Sequence, residues 1–404
     1  MEKLDFKEII SKIQEPVYIF DSIKFKENFK ELLNSFRKIY PNYNIAYSYK
    51  TNYTPEVCSL VKELGGYAEV VSDMEYFLAK KLGYKEEKII YNGPCKGENL
   101  DNFILNGGIC IVDNQIELNR ILNLALRNNK DLEIGLRVNA GETIGKKSRF
   151  GFYFESEEFK NIFELLKVNK KVKIVGLHCH ITGARDLISW EKRIELLLKL
   201  ADEYIGIPKF LDLGSGMYGK MVEELAVQFN SEIPTFSNYA EVVASRMNKH
   251  YINVPLEEKP LLITEPGTTL VADSFYFISK VIAMKCIKDQ NYAILNCSYH
   301  NIGELSSKKN LPITILGKGK SEYKNVNFVG YTCLEYDLLY RNYNGFLDIG
   351  DYVIFANIGS YSNTLKPPFI WPNCAMIAYD SEEKEIKLIK RKETFDDIFK
   401  TYII

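Results

Sequence analysis

The chain has 404 residues, of which 46% are hydrophobic and 26% charged, enough to bury a full core and to form about two domains. This composition excludes a disordered or fibrous protein. Lys and Arg number 52 and Asp and Glu number 53, for a formal net charge of −1. No overall field therefore draws the chain to nucleic acid or to an anionic membrane.

The first ten residues, MEKLDFKEII, place charges among the apolar side chains. No uninterrupted apolar run approaches the roughly 18 residues of a membrane helix. We therefore expect a cytoplasmic protein with neither membrane nor nucleic acid as a partner. The eight cysteines are scattered without a CxxC pair, which argues against a disulfide framework and a zinc knuckle.

From about residue 43 to residue 265, short runs of β-branched and aromatic residues alternate with longer amphipathic stretches. This alternation is typical of βα units around a parallel sheet. Eight units predict an α/β fold, a TIM (β/α)8 barrel, whose chemistry lies at the C-terminal ends of the strands. The predicted strands are 43–48, 66–71, 88–91, 109–112, 133–138, 173–179, 209–213 and 261–264. The residues just past strand ends include Lys50, Asn92, Asp113, His180, Gly214 and Glu265.

After about residue 268 the pattern changes to strands separated by turn signals, with a hairpin turn predicted at DSEE, residues 380–383. We expect a barrel domain over residues 25–267 and a C-terminal β-domain over residues 268–404. Residues 1–24 are expected to pack on the β-domain.

Lys50 directly follows an apolar strand in IAYSYKTNY. A lysine in a barrel mouth loses solvation, which lowers its pKa and frees the amine for Schiff-base formation. The alternative is an ordinary surface lysine.

Two of the four histidines, His178 and His180, lie in GLHCHITGARD on one face of the sixth predicted strand. They are candidates for metal ligation, which needs a further ligand from another strand end. Alternatively, one is a core residue, or the imidazole of His180 lies flat against an aromatic ring.

The segment LDLGSGMYGK matches G-x-G-x-x-G through Gly214, Gly216 and Gly219. Such glycines let backbone amides approach a phosphate. A dinucleotide fold is not predicted, because the next segment is a loop and then a helix.

At the end of the eighth strand, Glu265 is either a solvated carboxylate or a partner for a cationic ring nitrogen. A lysine, an imidazole, a glycine cradle and a carboxylate together match the four attachments of pyridoxal phosphate.

Several motifs resemble those of the fold-type III pyridoxal-phosphate decarboxylases, the group that holds diaminopimelate, ornithine and arginine decarboxylases. AYSYKTN is similar to AYAVKAN, and GLHCHITG to GLHCHIGS. LDLGSG is similar to LDIGGG, EPGTTLVA to EPGRSIVA, and YTCLEYDLL to PxCESGDVL. The motifs follow the family order over most of the chain.

The resemblance implies an alanine racemase-like barrel with a β-domain, pyridoxal 5'-phosphate as cofactor, and decarboxylation of an amino acid through a Schiff base on Lys50 and a quinonoid intermediate. It implies catalytic roles for Lys50, Glu265 and the proton donor Cys333. The residues implied to bind the cofactor are Lys50, His180, Gly214, Ser215, Gly216, Glu265, Gly267, Thr268 and Tyr361. The residues implied to contact substrate are Cys333, Glu335, Asp337 and Tyr361. The resemblance also implies a homodimer whose active sites are each built from both chains.

The phosphate motifs depart from the family pattern. Thr268 replaces the arginine of EPGR, and Gly183 replaces the serine of HIGS. Thr182, Thr268 or Arg185 are possible substitutes. We predict that the backbone amides of residues 214–216 and 267–268 dominate phosphate binding.

The specificity motifs depart as well. Leu334 replaces the acidic residue that reads a distal amine, and His300 and Asn301 replace a segment that ends in arginine. These departures predict a substrate other than plain ornithine or diaminopimelate. The competing interpretations are an amino-acid racemase of the same fold, a cofactor-binding protein without activity, and a metal-dependent barrel hydrolase that uses His178 and His180.

Overall fold

The computed structural model describes residues 4–144 and 147–403. The strands are β1 (Val17–Asp21), β2 (Tyr43–Ser48), β3 (Tyr67–Val70), β4 (Ile89–Tyr91), β5 (Ile109–Val112), β6 (Leu132–Asn139), β7 (Phe152–Tyr153), β8 (Val172–His178), β9 (Phe210–Asp212), β10 (Leu261–Thr264), β11 (Phe275–Ile287), β12 (Gln290–Leu295), β13 (Ile313–Leu316), β14 (Glu322–Val329), β15 (Leu338–Phe346), β16 (Tyr352–Ala356), β17 (Ala375–Asp380) and β18 (Glu385–Lys390). The α-helices are α1 (Phe6–Lys12), α2 (Ser22–Arg37), α3 (Pro55–Glu63), α4 (Asp73–Lys81), α5 (Leu100–Leu105), α6 (Gln115–Arg127), α7 (Glu157–Val168), α8 (Leu187–Tyr204), α9 (Glu223–Ala226), α10 (Phe236–His250), α11 (Thr268–Val271), α12 (Tyr299–Ile302) and α13 (Phe395–Phe399).

Eight parallel strands close into a barrel in the order β2, β3, β4, β5, β6, β8, β9 and β10, with β10 pairing with β2. Each of the eight predicted barrel strands overlaps one of them, so the predicted barrel is confirmed. The short β7 pairs with β6 outside the ring and was not predicted.

The helices after the strands begin at capped positions. The side chains of Ser72, Asn114, Ser156 and Asp186 each accept a hydrogen bond from a backbone amide three residues later. Such caps satisfy donors that the first helical turn leaves open. Only two residues separate β3 from α4 and β5 from α6, so at these two positions the chain turns directly from strand to helix.

Part of the barrel interior is filled by one large side chain against two glycines. A Cβ on Gly135 would lie 2.8 Å from the ring of Phe210, and one on Gly176 would lie 2.3 Å from it. Both positions therefore need glycine. Phe210 packs there with apolar residues from the other strands, including Ile90, Ile111 and Ile263.

The second sheet has the order β15, β14, β12, β11, β1, β17 and β18, and β16 pairs with both β11 and β13. The predicted hairpin joins β17 to β18. Strands β1 and β15 were not predicted. Strand β1 lies between β11 and β17, antiparallel to the first and parallel to the second.

The chain divides into two compact units. The barrel unit comprises Asn28–Tyr218 and Glu232–Thr269, and the β unit comprises the residues up to Glu27, Gly219–Ser231 and the residues from Leu270 onward. The sequence analysis did not predict that 219–231 belongs with the β unit. Hydrogen bonds explain it, because the Gln228 side chain donates to the Asn310 carbonyl at 2.9 Å and accepts from the Asn310 amide at 2.9 Å. Among the described helices, none is long and apolar enough to cross a membrane.

Candidate active site

Lys50 lies in a short 3-10 turn that follows β2. Its Nζ is 2.6 Å from Oε2 of Glu69 on β3, a carboxylate with no solvent exposure. Ser48 Oγ donates to the same oxygen at 2.5 Å, and Asn92 Nδ2 donates to Oε1 at 3.1 Å. The pairing register places Ser48 opposite Glu69. The lysine amine is thus held by a buried anion while about a third of its side chain, 34%, stays exposed.

Glu265 follows β10 and is buried. Asn92 donates a hydrogen bond to Oε1, and Nε2 of His178 lies 3.3 Å from Oε2. Burial alone would raise the pKa of Glu265, but the interaction with His178 and the positive charge of Lys50 hold the pKa below its usual value. Burial lowers the pKa of His178. A neutral His178 with its proton on Nε2 therefore donates to an ionised Glu265.

Asp212 completes a buried cluster with His178 and Glu265. The three side chains offer ligand atoms that lie within 4.8 Å of one another, and the strand register sets His178 beside Asp212. Burial, and then the negative charge of Glu265, raise the pKa of Asp212. Its Oδ1 accepts from the Gly214 amide at 2.8 Å, and its buried Oδ2 has no partner among the described residues. A protonated Oδ2 would be a donor, and the carboxylate of Glu265 is the neighbouring acceptor.

The same cluster brings two acidic side chains to His178, as the metal interpretation required: Glu265, which the sequence analysis named, and Asp212, which it did not. His180 does not belong to the cluster. Donors from Asn92 and His178 already satisfy Glu265. Hydrogen-bond donors around a carboxylate suit an anion that faces a protonated ring nitrogen, and they compete with a metal ion for its lone pairs.

His180 lies past the end of β8 and packs against the glycine loop. Its Nδ1 accepts from the Ser215 amide at 3.1 Å. A Cβ on Gly214 would lie 2.6 Å from the Cβ of His180. Gly214 also has a φ of +58°, which favours glycine. Burial and the charge of Lys50 hold the pKa of His180 well below its usual value. A neutral, oriented imidazole suits contact with the face of an aromatic ring.

The amides of Gly216 and Gly267 have no hydrogen-bond partner within the described chain. A Cβ on Gly267 would lie 2.0 Å from Oγ1 of Thr51. The amides of Gly214 and Ser215, by contrast, already donate to Asp212 and His180. Of the amides predicted to hold phosphate, those of Gly216 and Gly267 are therefore open to a ligand. Gly219, the third glycine of the motif, belongs to the β unit, whereas Gly214 and Gly216 belong to the barrel unit.

Two of the proposed substitutes for the missing phosphate ligands are engaged elsewhere. Oγ1 of Thr182 lies 3.5 Å from Nε2 of His180. The guanidinium of Arg185 donates to the Met217 carbonyl at 3.4 Å and lies over the ring of Tyr218. The third substitute, Thr268, is the first residue of α11.

The remaining residues implied by the resemblance lie in the β unit. Cys333 and Glu335 are exposed, and Tyr361 is half-buried with a φ of +58°. Asp337 is buried, and its carboxylate accepts from the amide of Tyr299 at 2.7 Å and from Oγ1 of Thr332 at 2.6 Å. These bonds favour a structural role for Asp337. The substrate contacts of all four residues stay predictions.

The sequence analysis missed Glu69, Asp212 and Arg137. Arg137 on β6 is buried and lies 3.4 Å from Asp113, and the register sets it beside His178. Each of the three is a charged side chain next to apolar residues of a strand, and that was the available signal.

A pyridoxal phosphate fits this set of groups. The barrel mouth offers an amine on Lys50, an ionised buried carboxylate on Glu265, and free amides beside glycines whose Cβ positions are blocked. Over residues 26–272 the chain matches the family described as "Pyridoxal-dependent decarboxylase, pyridoxal binding domain". The chain belongs to this family.

Pyridoxal phosphate is thus the cofactor of this decarboxylase, and family membership favours decarboxylation over the racemase, hydrolase and non-enzyme interpretations. It is 24% identical to the diaminopimelate decarboxylase of Methanocaldococcus jannaschii, over 99% of this chain and 94% of that one. It is 26% identical to the diaminopimelate decarboxylase of Aquifex aeolicus, over 98% and 94%. It is 22% identical to L-glutamyl-[BtrI acyl-carrier protein] decarboxylase of Niallia circulans, over 100% and 97%.

Solved structures agree in fold. The diaminopimelate decarboxylase of Helicobacter pylori, complexed with L-lysine, superposes with a TM-score of 0.85 at 22% identity, over 98% of both chains. The Methanocaldococcus jannaschii enzyme, also in complex with L-lysine, gives a TM-score of 0.85 at 23% identity, over 98% of this chain and 94% of that one.

Proposed function

We propose that the decarboxylase removes the α-carboxylate of an amino acid while Lys50 holds the cofactor and Glu265 partners its ring nitrogen. Two features of the barrel mouth carry the proposal. The amine of Lys50 pairs with the buried carboxylate of Glu69. At another strand end, the ionised carboxylate of Glu265 is hydrogen-bonded through both of its oxygens. Bound pyridoxal phosphate supplies an aldehyde and an electron-accepting ring.

Glu265 keeps a proton on the ring nitrogen, because its low pKa leaves it anionic at neutral pH. His178 and Asn92 orient its two oxygens. His180, fixed by the Ser215 amide, would hold the face of the cofactor ring. Each of these groups is set before substrate arrives, so little reorganisation is needed during the reaction.

Glu69 is the proton partner of Lys50. A Lys50 amine released from the cofactor would need a nearby group with which to exchange protons, and Oε2 of Glu69 lies 2.6 Å from its Nζ. Ser48 and Asn92 hold that carboxylate in place. Cys333 of the β unit is proposed as the donor that protonates the α-carbon after carbon dioxide leaves.

The substrate is proposed to be an amino acid other than plain ornithine or diaminopimelate. Leu334 follows Cys333 where the family carries an acidic residue. The side chain of Asn301 is buried, accepts a hydrogen bond from the Ser298 amide at 2.9 Å and donates one to Sγ of Cys374. It is therefore not available to bind a substrate. The relatives named for diaminopimelate make that compound the first substrate to compare.

A carrier-bound amino acid is a second candidate. The Niallia circulans relative is named for a glutamyl group on an acyl-carrier protein and aligns over the whole chain. The apolar Leu334 favours a substrate without a distal amine.

The proposal is tested by carbon dioxide release from diaminopimelate, ornithine, lysine, arginine, glutamate and a glutamyl thioester. Borohydride reduction of the holoenzyme followed by peptide mapping should label Lys50. A label on another lysine would refute the assignment of the Schiff base. Turnover of diaminopimelate or ornithine above every other compound would refute the substrate proposal and leave the chemistry intact.

We also propose a homodimer whose sites combine the barrel of one chain with Cys333 and Tyr361 of the other. The exposure of Cys333, Glu335 and Tyr336, the last 64% exposed, supports this arrangement. A large aromatic side chain and a thiol on an open surface suit a face that a second copy covers.

A further inference from the structure

Arg193 is a buried cation without a counter-ion next to the phosphate loop. It lies in α8, has no solvent exposure, and packs its guanidinium over the ring of Trp190 at 4.5 Å. It forms no ion pair within the part of the chain that the structure describes. The carboxylates of Asp186 and Asp212 interact with it electrostatically without contacting it. Burying an uncompensated charge is costly, so such a charge is favoured where an anion binds nearby.

The guanidinium holds carbonyls from two loops. Nη1 donates to the Leu213 carbonyl at 2.6 Å and to the Ser215 carbonyl at 3.0 Å, and Nη2 donates to the Ala184 carbonyl at 3.4 Å. One loop follows β8 and the other follows β9. A single side chain thus ties the loop of residues 214–216, which the sequence analysis assigned to the phosphate, to the loop that contains Gly183.

The carbonyl contacts determine where the amides point. A trans peptide unit directs its carbonyl and its N–H to opposite sides. Because Arg193 binds the Ser215 carbonyl, the Gly216 N–H points away from Arg193, and it has no partner among the described residues. Gly216 has a φ of +114°, and a Cβ there would lie 3.2 Å from the Ile181 carbonyl. This peptide orientation therefore needs both the glycine and the arginine.

We infer that Arg193 is the positioning residue of the phosphate site. It supplies, from behind the loop, a positive charge in place of the arginine that the family motif has at the position of Thr268. This inference rests on the proposed cofactor site. Arg193 does not touch the phosphate. It aims the Gly216 amide at the dianion and lowers the electrostatic cost of placing the dianion there.

The test compares pyridoxal phosphate with pyridoxal, which has the same aldehyde and ring but no phosphate. The apoprotein of Arg193→Gln should bind pyridoxal phosphate about ten- to a hundredfold more weakly than wild type. Its affinity for pyridoxal should stay within about twofold, since Lys50, His180 and Glu265 are unchanged. Inorganic phosphate should raise the unfolding temperature of the wild-type apoprotein more than that of the variant.

Arg246→Gln is the matched control, because Arg246 on α10 pairs with Glu191 and Glu195 and should leave the ratio of the two affinities unchanged. Arg193→Lys keeps the charge but cannot bind several carbonyls at once. It should lower the affinity for pyridoxal phosphate relative to that for pyridoxal, but by less than Arg193→Gln does. If the Gln variant does not fold, the same comparison is made with the Lys variant. An affinity for pyridoxal phosphate relative to pyridoxal that equals the wild-type value then overturns the inference. Equal weakening of pyridoxal and pyridoxal phosphate also overturns it, because Arg193 would then only support the fold. A wild type that binds neither compound would instead refute the proposed function.

Discussion

The Nζ of Lys50 lies 2.6 Å from Oε2 of Glu69, and the carboxylate has no exposure to solvent. Replacing Glu69 with Gln keeps the shape and removes the proton acceptor. We expect kcat to fall by about a hundredfold while the cofactor stays bound. Stopped-flow absorbance should show slowed exchange of the lysine for the substrate amine. Glu63→Gln, on an exposed position of α3, is the control. Wild-type exchange rates in Glu69→Gln would contradict the proton-transfer role.

Glu265→Gln removes the anion that faces the ring nitrogen. Decarboxylation should fall by several orders of magnitude, because a neutral amide does not hold a proton on that nitrogen. Single-turnover carbon dioxide release measures the effect separately from binding. Near-normal release from this variant would mean that the ring acts without a protonated nitrogen.

Asp212→Asn tests whether Asp212 is protonated in the folded chain. Its raised pKa means that folding takes up a proton once the pH exceeds the unfolded value of about 4. The stability contribution is therefore full below that pH and is lost as the pH rises toward the folded pKa. The Asn variant does not titrate at this position, so its free energy of unfolding relative to that of wild type should increase as the pH rises above about 4.

Urea unfolding of both apoproteins at several pH values measures this difference in the free energy of unfolding. Asp289→Asn, at an exposed position, should run parallel to wild type. Parallel profiles for Asp212→Asn and wild type would show that Asp212 is ionised in both states.

Mixed dimers test the shared site. Lys50→Ala and Cys333→Ala chains should each be nearly inactive alone. After mixing and reassembly, half of the dimers are hybrids, each with one site free of both lesions. Activity should then approach roughly a quarter of the wild-type level, which follows from the two-fold symmetry. Demonstrated subunit exchange without recovery would mean that each chain completes its own site.

Barrel strands could be predicted because each is an apolar run bounded by turn residues and followed by an amphipathic helix. Strand β1 could not, because its partners lie far along the chain, in Phe275–Ile287 and Ala375–Asp380. Nothing near VYIFD in the sequence signals such partners. The segment 219–231 was missed for the same reason, since its hydrogen bonds run to residues near 310.

The sequence by itself determined which side chains lie at strand ends, because a strand end is a local feature. Lys50, His180 and Glu265 were identified on that basis. The tertiary structure alone decided which buried charges meet them. Parallel register sets Ser48 opposite Glu69 and His178 opposite Asp212, and α8 folds back to place Arg193 beneath two loops. Register and packing depend on contacts between distant segments, so no local pattern encodes them.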